Sequence, residues 1–227
     1  MKTAVAPVSS LPPVAPVRAP DERSARRRST LRLFAVLLLL TAALRTPGFV
    51  VDVFNSDESF LGAQAEVINH GGKLYEEAAD RKPPLVPYLY AATFALFSTT
   101  ALWSVRVIAM LAVALTALFL ALEARRRYGD RAAWIAGVLM VLASVAFAPQ
   151  DGQAANFEIF MLPSMTAAVL LARRGRAFSS GAAVALATLT KQTGAATLLP
   201  VLYLVWRQRG RRGVADAFGG FTLPLVI

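Results

Sequence analysis

The sequence contains no cysteine. Disulfides, thiolate metal centres and cysteine nucleophiles are therefore excluded at once. Histidine is nearly absent as well: the single His70 stands beside Gly71 and Gly72, where it reads as a turn residue rather than a ligand. No group of His and carboxylates has the spacing of a metal site, and no internal repeat is evident. Charged residues make up only 17% of the chain. Of its fourteen acidic residues, half fall in one stretch, as Asp52, Asp57, Glu58, Glu66, Glu76, Glu77 and Asp80.

What is abundant is apolar. Hydrophobic residues form 56% of the 227 and the mean hydropathy is +0.52. They come in long runs rather than in alternating faces, which points to an all-α membrane protein with several spans. The net charge of +10 would suggest nucleic acid in a soluble protein. Here the positions of the charges explain it better. Residues 1–32 carry Lys2, Arg18, Arg23, Arg26, Arg27, Arg28 and Arg32, and later clusters occur at Arg125 to Arg131, Arg173 to Arg176 and Arg207 to Arg212. These segments should share one side, which the positive-inside tendency makes cytoplasmic. The loop at 52–83 holds only Lys73, Arg81 and Lys82, and residues 149–155 hold no basic residue, so both should face outward. Nucleic acid is not an expected partner.

Taken in order, residues 1–30 are rich in Pro, Ala, Ser and Arg and read as a disordered cytoplasmic tail. A first, uncleaved span follows over 31–51, with Arg45 near its outer end. Asn55 with Glu58 three residues on resembles a capping box, and Phe60, Leu61, Val67 and Ile68 fall at helical spacing. A short amphipathic helix at the membrane surface is expected there, ended by Gly71 and Gly72. Tyr75 is an interfacial aromatic. Pro83 and Pro84 restrict the residues before them to extended backbone, which holds Lys82 on a stiff segment. Further spans are expected at 84–99, 102–122, 131–148 and 156–172. The stretch 178–206 is basic at both ends and polar at Thr190-Lys191-Gln192-Thr193-Gly194. Two short helices meeting at Lys191, deep or near the outer face, satisfy that pattern. A last span starts near Phe218 and is unfinished at Ile227, so the chain reads as truncated.

With these residues in place, the sequence resembles the N-terminal half of a GT-C glycosyltransferase. Within that superfamily it is most similar to bacterial relatives of the protein O-mannosyltransferases (glycosyltransferase family 39) and of the aminoarabinose lipid A transferase. The resemblance is carried by Asp57-Glu58, by Gly71-Gly72-Lys73-Leu74-Tyr75 and by Asp80-Arg81-Lys82-Pro83-Pro84-Leu85. Asn156-Phe157-Glu158 and Leu189-Thr190-Lys191-Gln192-Thr193 complete it, and it covers about residues 31–227. It implies a multi-span helical bundle with amphipathic helices in the first outer loop. It also implies transfer of a sugar from a polyprenyl or dolichyl monophosphate to a lipid, glycan or protein acceptor at the outer face of a plasma membrane. The family usually has further spans and a C-terminal part.

For each residue a structural and a functional reading stand side by side. Asp57 and Glu58 suit a helix N-terminus. Alternatively Asp57 is the general base for the acceptor hydroxyl, with Glu58 as helper or cap, since a partly dry interface raises a carboxylate's proton affinity. Lys82 is either a snorkelling cation or, with Arg81 beside it and Asp80 orienting them, the grip on the donor phosphate. Glu158 either pairs with a neighbour such as Arg106 or lines the substrate cavity with Asn156 and Tyr75. Lys191 either meets an anion in the cavity or tips a hairpin at the surface. A monophosphate donor does not demand a divalent cation, so no cofactor is expected. A transporter or flippase fragment is the alternative, because broken helices with central polar residues also mark substrate paths; a non-catalytic membrane subunit is another.

Overall fold

A computed structural model describes residues 21–50, 55–78, 80–97, 101–146 and 149–226. Most of the expected N-terminal tail, Asp52 and Ile227 lie outside the described residues. Within them every regular element is helical, apart from one isolated bridge between Leu74 and Ala78. Two helices are long and apolar enough to cross a membrane, at Ser24–Phe49 and Leu102–Ala146.

Helix α1 runs over Asp21–Arg45 and so begins well before Leu31, where the tail was expected to give way to a span. The reason is composition: its Asp-Glu-Arg-Ser-Ala-Arg-Arg-Arg start is rich in strong helix formers. Leu33, Leu37 and Thr41, spaced by four, are fully buried and form one stripe of the helix. A 3-10 turn, Thr46–Phe49, follows.

Helix α2, Ser56–Asn69, begins as the sequence predicts: the Asn55 side chain accepts from the amides of Asp57 and Glu58. Part of its apolar face packs inward, while Phe60 is 45% exposed. Leu61 and Ala65 are fully buried in a cluster with Val86, Tyr90 and Phe94, which belong to α3, Leu85–Phe97. The expected surface helix is thus anchored to the bundle through Leu61 and Ala65, for which α3 offers an aromatic wall. The plural amphipathic helices expected in this loop reduce to this one among the described residues. After Gly71 (φ 88) the chain closes a tight turn in which the Lys73 carbonyl accepts from the amides of Glu76, Glu77 and Ala78.

Helix α4 spans Leu102–Ala146 but is broken at Gly129 (φ 85, ψ −175). A straight helix would set Ala121 and Gly137 about 24 Å apart. Instead a Cβ built on Gly137 would lie 3.4 Å from the Ala121 Cβ and 2.9 Å from Leu37. The element is thus an antiparallel hairpin packed on α1 through Leu33, Leu37, Ala117, Ala121, Ala133 and Val141. Its turn carries Arg125, Arg126 and Arg127, where the sequence predicts a basic loop between two spans.

The short α5, Pro149–Gln153, leads to α6, Phe157–Arg173, whose N-cap is Asn156. Helix α7, Ala177–Thr190, ends where Lys191 turns extended (φ −153, ψ 137), and a 3-10 turn, Gln192–Thr197, starts the return. Helix α8, Leu198–Val226, is broken at Gly210 (φ 57), so its second half continues the bundle without waiting for Phe218. Helix α7 packs on both halves of α8 through Val184, Val201, Val205 and Ala217. The contact with the second half is backbone-close: a Cβ on Gly181 would sit 1.8 Å from the Ala217 carbonyl oxygen, and one on Gly220 would sit 2.0 Å from that of Phe178. Small residues at such crossings let membrane helices approach. Gly181→Ala should therefore separate α7 from α8 and cost roughly 1–3 kcal/mol, seen as a lowered midpoint in detergent unfolding; Ala at the open Gly219 should not.

The bundle has two distinct ends. One gathers Asp57, Lys82, Glu158 and Lys191; the other gathers Arg26, Arg27, Arg125, Arg126 and Arg174. Between them the exterior shows Leu39, Leu96, Leu139 and Leu199, each more than half exposed.

Candidate active site

The polar end is built on a buried scaffold. Glu58, with no solvent exposure, accepts from Arg106 on both oxygens, at 2.9 Å from Nε and 2.5 Å from Nη2. Its Oε1 also accepts from the amide of Ala155 at 2.9 Å. Arg106 donates further to the Gly48 carbonyl. Arg45, 2% exposed, donates to the carbonyls of Gly152, Gln153 and Ala154, and Tyr90 donates to that of Ala155 at 2.6 Å. Four elements are thereby fastened to the segment just before α6. The fully desolvated pair holds the geometry; neither charge faces the cleft, so Glu58 is placed as scaffold.

Residues adjacent on a helix point about 100° apart, so Asp57 faces elsewhere. It lines a cleft of about 290 Å³ with Asp151, Gly152, Asn156, Glu158 and Ile159. Its carboxylate lies 3.3 Å from the Lys82 ammonium, which also stands 4.1 Å over the Phe157 ring. Phe157 is fully buried, so that ring is a fixed platform for the cation.

Lys82 is held by its backbone. Asp80 Oδ1 accepts from the amides of Arg81 and Lys82, at 2.6 and 3.1 Å, the Asx turn that such a short acid favours. Asp80 Oδ2 accepts from Gln64 on α2 at 3.2 Å. The Tyr75 phenol donates to the Lys82 carbonyl at 2.9 Å. Burial first, then the charges of Asp80 and Tyr88, push that phenol above its ordinary value, so it keeps the proton it donates. Tyr75 itself has φ 76, an unfavourable backbone for a bulky residue, held by its amide, which donates to the Ala78 carbonyl at 2.9 Å. Tyr75 and Asp80 thus position Lys82, and the Arg81 carbonyl accepts from Gln192 at 2.7 Å, tying this turn to the break after α7.

That break delivers Lys191, whose ammonium pairs with Glu158 in the first turn of α6. Lys191 thus lies level with the start of α6. Of the two readings of Glu158 both have support, since it pairs with a neighbour and lines the cleft; the neighbour is Lys191 rather than Arg106, which pairs with Glu58. Asn156 lines the cleft, but its amide caps α6 by accepting from Ile159 and donates to the Asp151 carbonyl. Among the described residues no three His, Asp or Glu side chains form a metal-binding group.

Asp57, Asp80, Arg81, Lys82, Asn156, Glu158 and Lys191 therefore meet at one end of the bundle. Residues 81–226 match the family of dolichyl-phosphate-mannose-protein mannosyltransferases. The chain belongs to that family. No curated protein and no solved structure matches it. Membership in this mannosyltransferase family makes it a membrane-bound glycosyltransferase of the GT-C superfamily, with a sugar carried on polyprenyl phosphate as donor. Within the mannosyltransferase match lie Lys82, Glu158 and Lys191; Asp57 and Glu58 precede it.

Three contributors had no role assigned from the sequence. Phe157 and Gln192 stand in the stretches that carry the resemblance and Gln64 lies on α2, but only the fold brings Gln64 to Asp80, Gln192 to Arg81 and Phe157 to Lys82. Arg106 did carry a signal: a cation inside an apolar run requires a partner.

Proposed function

We propose that the protein transfers the sugar of a polyprenyl monophosphate, with inversion, to a hydroxyl of a lipid, glycan or protein acceptor at the outer face of the plasma membrane. The observation that carries this reading is the Asp57–Lys82 pair at the mouth of the cleft. The acceptor oxygen attacks the anomeric carbon and its proton passes to the Asp57 carboxylate. The bond from that carbon to the phosphate oxygen breaks, and polyprenyl phosphate departs with the electron pair. Lys82, supported by Arg81 and Lys191, neutralises the departing phosphate, as fixed cations do for charge that develops in a transition state. Glu158 and Asn156 face the sugar or acceptor hydroxyls, while Tyr75 and Asp80 keep Lys82 in place. No cofactor is assigned.

The same reading makes the bundle multi-span, with α1, both halves of α4, α6 and the second half of α8 crossing the bilayer. Helix α7 has 14 residues and rises only about 21 Å, short of a hydrocarbon core of about 30 Å. Lys191 then lies at the bottom of a recess, within reach of an embedded lipid phosphate. The arginine-rich end faces the cytoplasm.

The test is release of polyprenyl phosphate by the purified protein given a lipid-monophosphate sugar. Release coupled to acceptor glycosylation is expected. Lys82→Ala should raise the donor KM roughly ten- to a hundredfold, the loss of one charge-assisted phosphate contact. Ion-coupled uptake without lipid release would instead identify a transporter.

A further inference from the structure

The opposite end of the bundle holds a second cleft, of about 640 Å³, lined by Arg26, Arg27, Thr30 and Leu31 of α1, Leu122, Arg125 and Arg126 of α4, and Arg174 after α6. Five guanidinium groups from three elements thus surround two leucines. Arg125 is committed to the protein: it donates to the hydroxyls of Thr30 and Ser29, at 3.0 and 3.3 Å, and its Nε lies 2.7 Å from Asp130. The other nearby carboxylate, Glu123, pairs with Arg127 and Arg173. Among the described residues, Arg26, Arg27, Arg126 and Arg174 have no carboxylate partner.

Like charges are therefore held together without compensation. Arg174 registers this: burial first, then Arg126, Arg176 and Arg26, lower its proton affinity, with Glu123 opposing weakly. All four are exposed, and topology alone accounts for cations at this end; what it does not require is their convergence from three elements on one cleft, which offers an anionic headgroup several donors at once. Arginine forks match phosphate oxygens in pairs. Leu31, 56% exposed, and Leu122 give the same cleft an apolar side, which a water-borne phosphate does not need and an acyl chain does.

We propose that this cleft binds the phosphate of an anionic phospholipid headgroup, with Arg126 and Arg174 as its principal ligands, Arg26 and Arg27 beside them, and the acyl chains leaving past Leu31 and Leu122. The site requires only that the bundle sit in a bilayer with this end at its surface, and it is independent of the reaction at the other end.

The test compares unfolding midpoints of the protein in nanodiscs of phosphatidylcholine alone and of phosphatidylcholine with phosphatidylglycerol. Phosphatidylglycerol should raise the wild-type midpoint, and the rise should largely vanish in Arg126→Gln/Arg174→Gln. Affinity for the lipid, titrated by native mass spectrometry, should weaken roughly tenfold per arginine removed. Should the Gln pair fail to insert, Arg126→Lys/Arg174→Lys keeps the charge but loses the fork, and its rise should be clearly smaller than wild type. An equal rise in wild type and variant overturns the proposal. So does an equal rise from inorganic phosphate in phosphatidylcholine discs, which would make this a site for a soluble anion.

Discussion

Asp57→Asn should lower the turnover of sugar transfer by about 10²–10⁴-fold, the usual contribution of a positioned general base, while leaving membrane insertion and the unfolding midpoint near wild type. The substitution keeps the shape of the side chain at the first turn of α2, and the cap there depends on Asn55 rather than on Asp57. What it removes is the acceptor for the hydroxyl proton and the anion that Lys82 meets at 3.3 Å. Because Lys82 remains on its Phe157 platform, donor KM should change far less than turnover. The readout is initial rate against donor concentration with a lipid-monophosphate sugar. Wild-type turnover in the variant would remove the base assignment.

Glu58→Ala should behave in the opposite way, losing stability rather than chemistry. Its carboxylate is fully buried between Arg106 and the Ala155 amide. Removing one member of a buried pair leaves the other charge uncompensated, at about 3–5 kcal/mol. Arg106, 4% exposed, would then keep its bond to the Gly48 carbonyl but lose the carboxylate that balances its charge. The midpoint in a thermal scan in detergent should fall steeply. The double variant Glu58→Leu/Arg106→Met should be more stable than Glu58→Ala, since an apolar pair of similar volume is often tolerated where a lone charge is not. A wild-type midpoint for Glu58→Ala would show that the pair does not hold α2 to α4 and to the start of α6. Two neighbouring carboxylates are thus told apart by which measurement each one moves.

Much of this was legible in the sequence. The cap at Asn55, the basic turn between the halves of α4 and the break at Lys191 follow from local chemistry: a short polar side chain, a charge cluster, a polar pentad inside an apolar run. The convergence of Lys82 and Asp57 was expected from the resemblance rather than from spacing. Partner choice was not legible. Glu58 and Glu158 are both acids beside apolar helices, and nothing in the sequence says that Arg106 takes the first and Lys191 the second; depth in the fold decides it. What covers the apolar stripe of α2 was not legible for a related reason. An amphipathic stripe shows that a helix must bury one face, but not whether lipid or the wall of α3 will cover it. The extra turns at the start of α1 reflect arginine's helix propensity prevailing over a composition that reads as tail.

The central claim is that the donor phosphate is gripped at the Asp57–Lys82 end of the bundle. The most direct measurement is photocrosslinking with a polyprenyl monophosphate carrying a diazirine beside the phosphate, followed by peptide mapping of the labelled protein. Label on residues 80–84 and on the segments around Glu158 and Lys191, lost in Lys82→Ala, is the expected result. Label confined to the arginine cleft around Arg126 and Arg174, or spread evenly over the lipid-facing helices, would contradict the account.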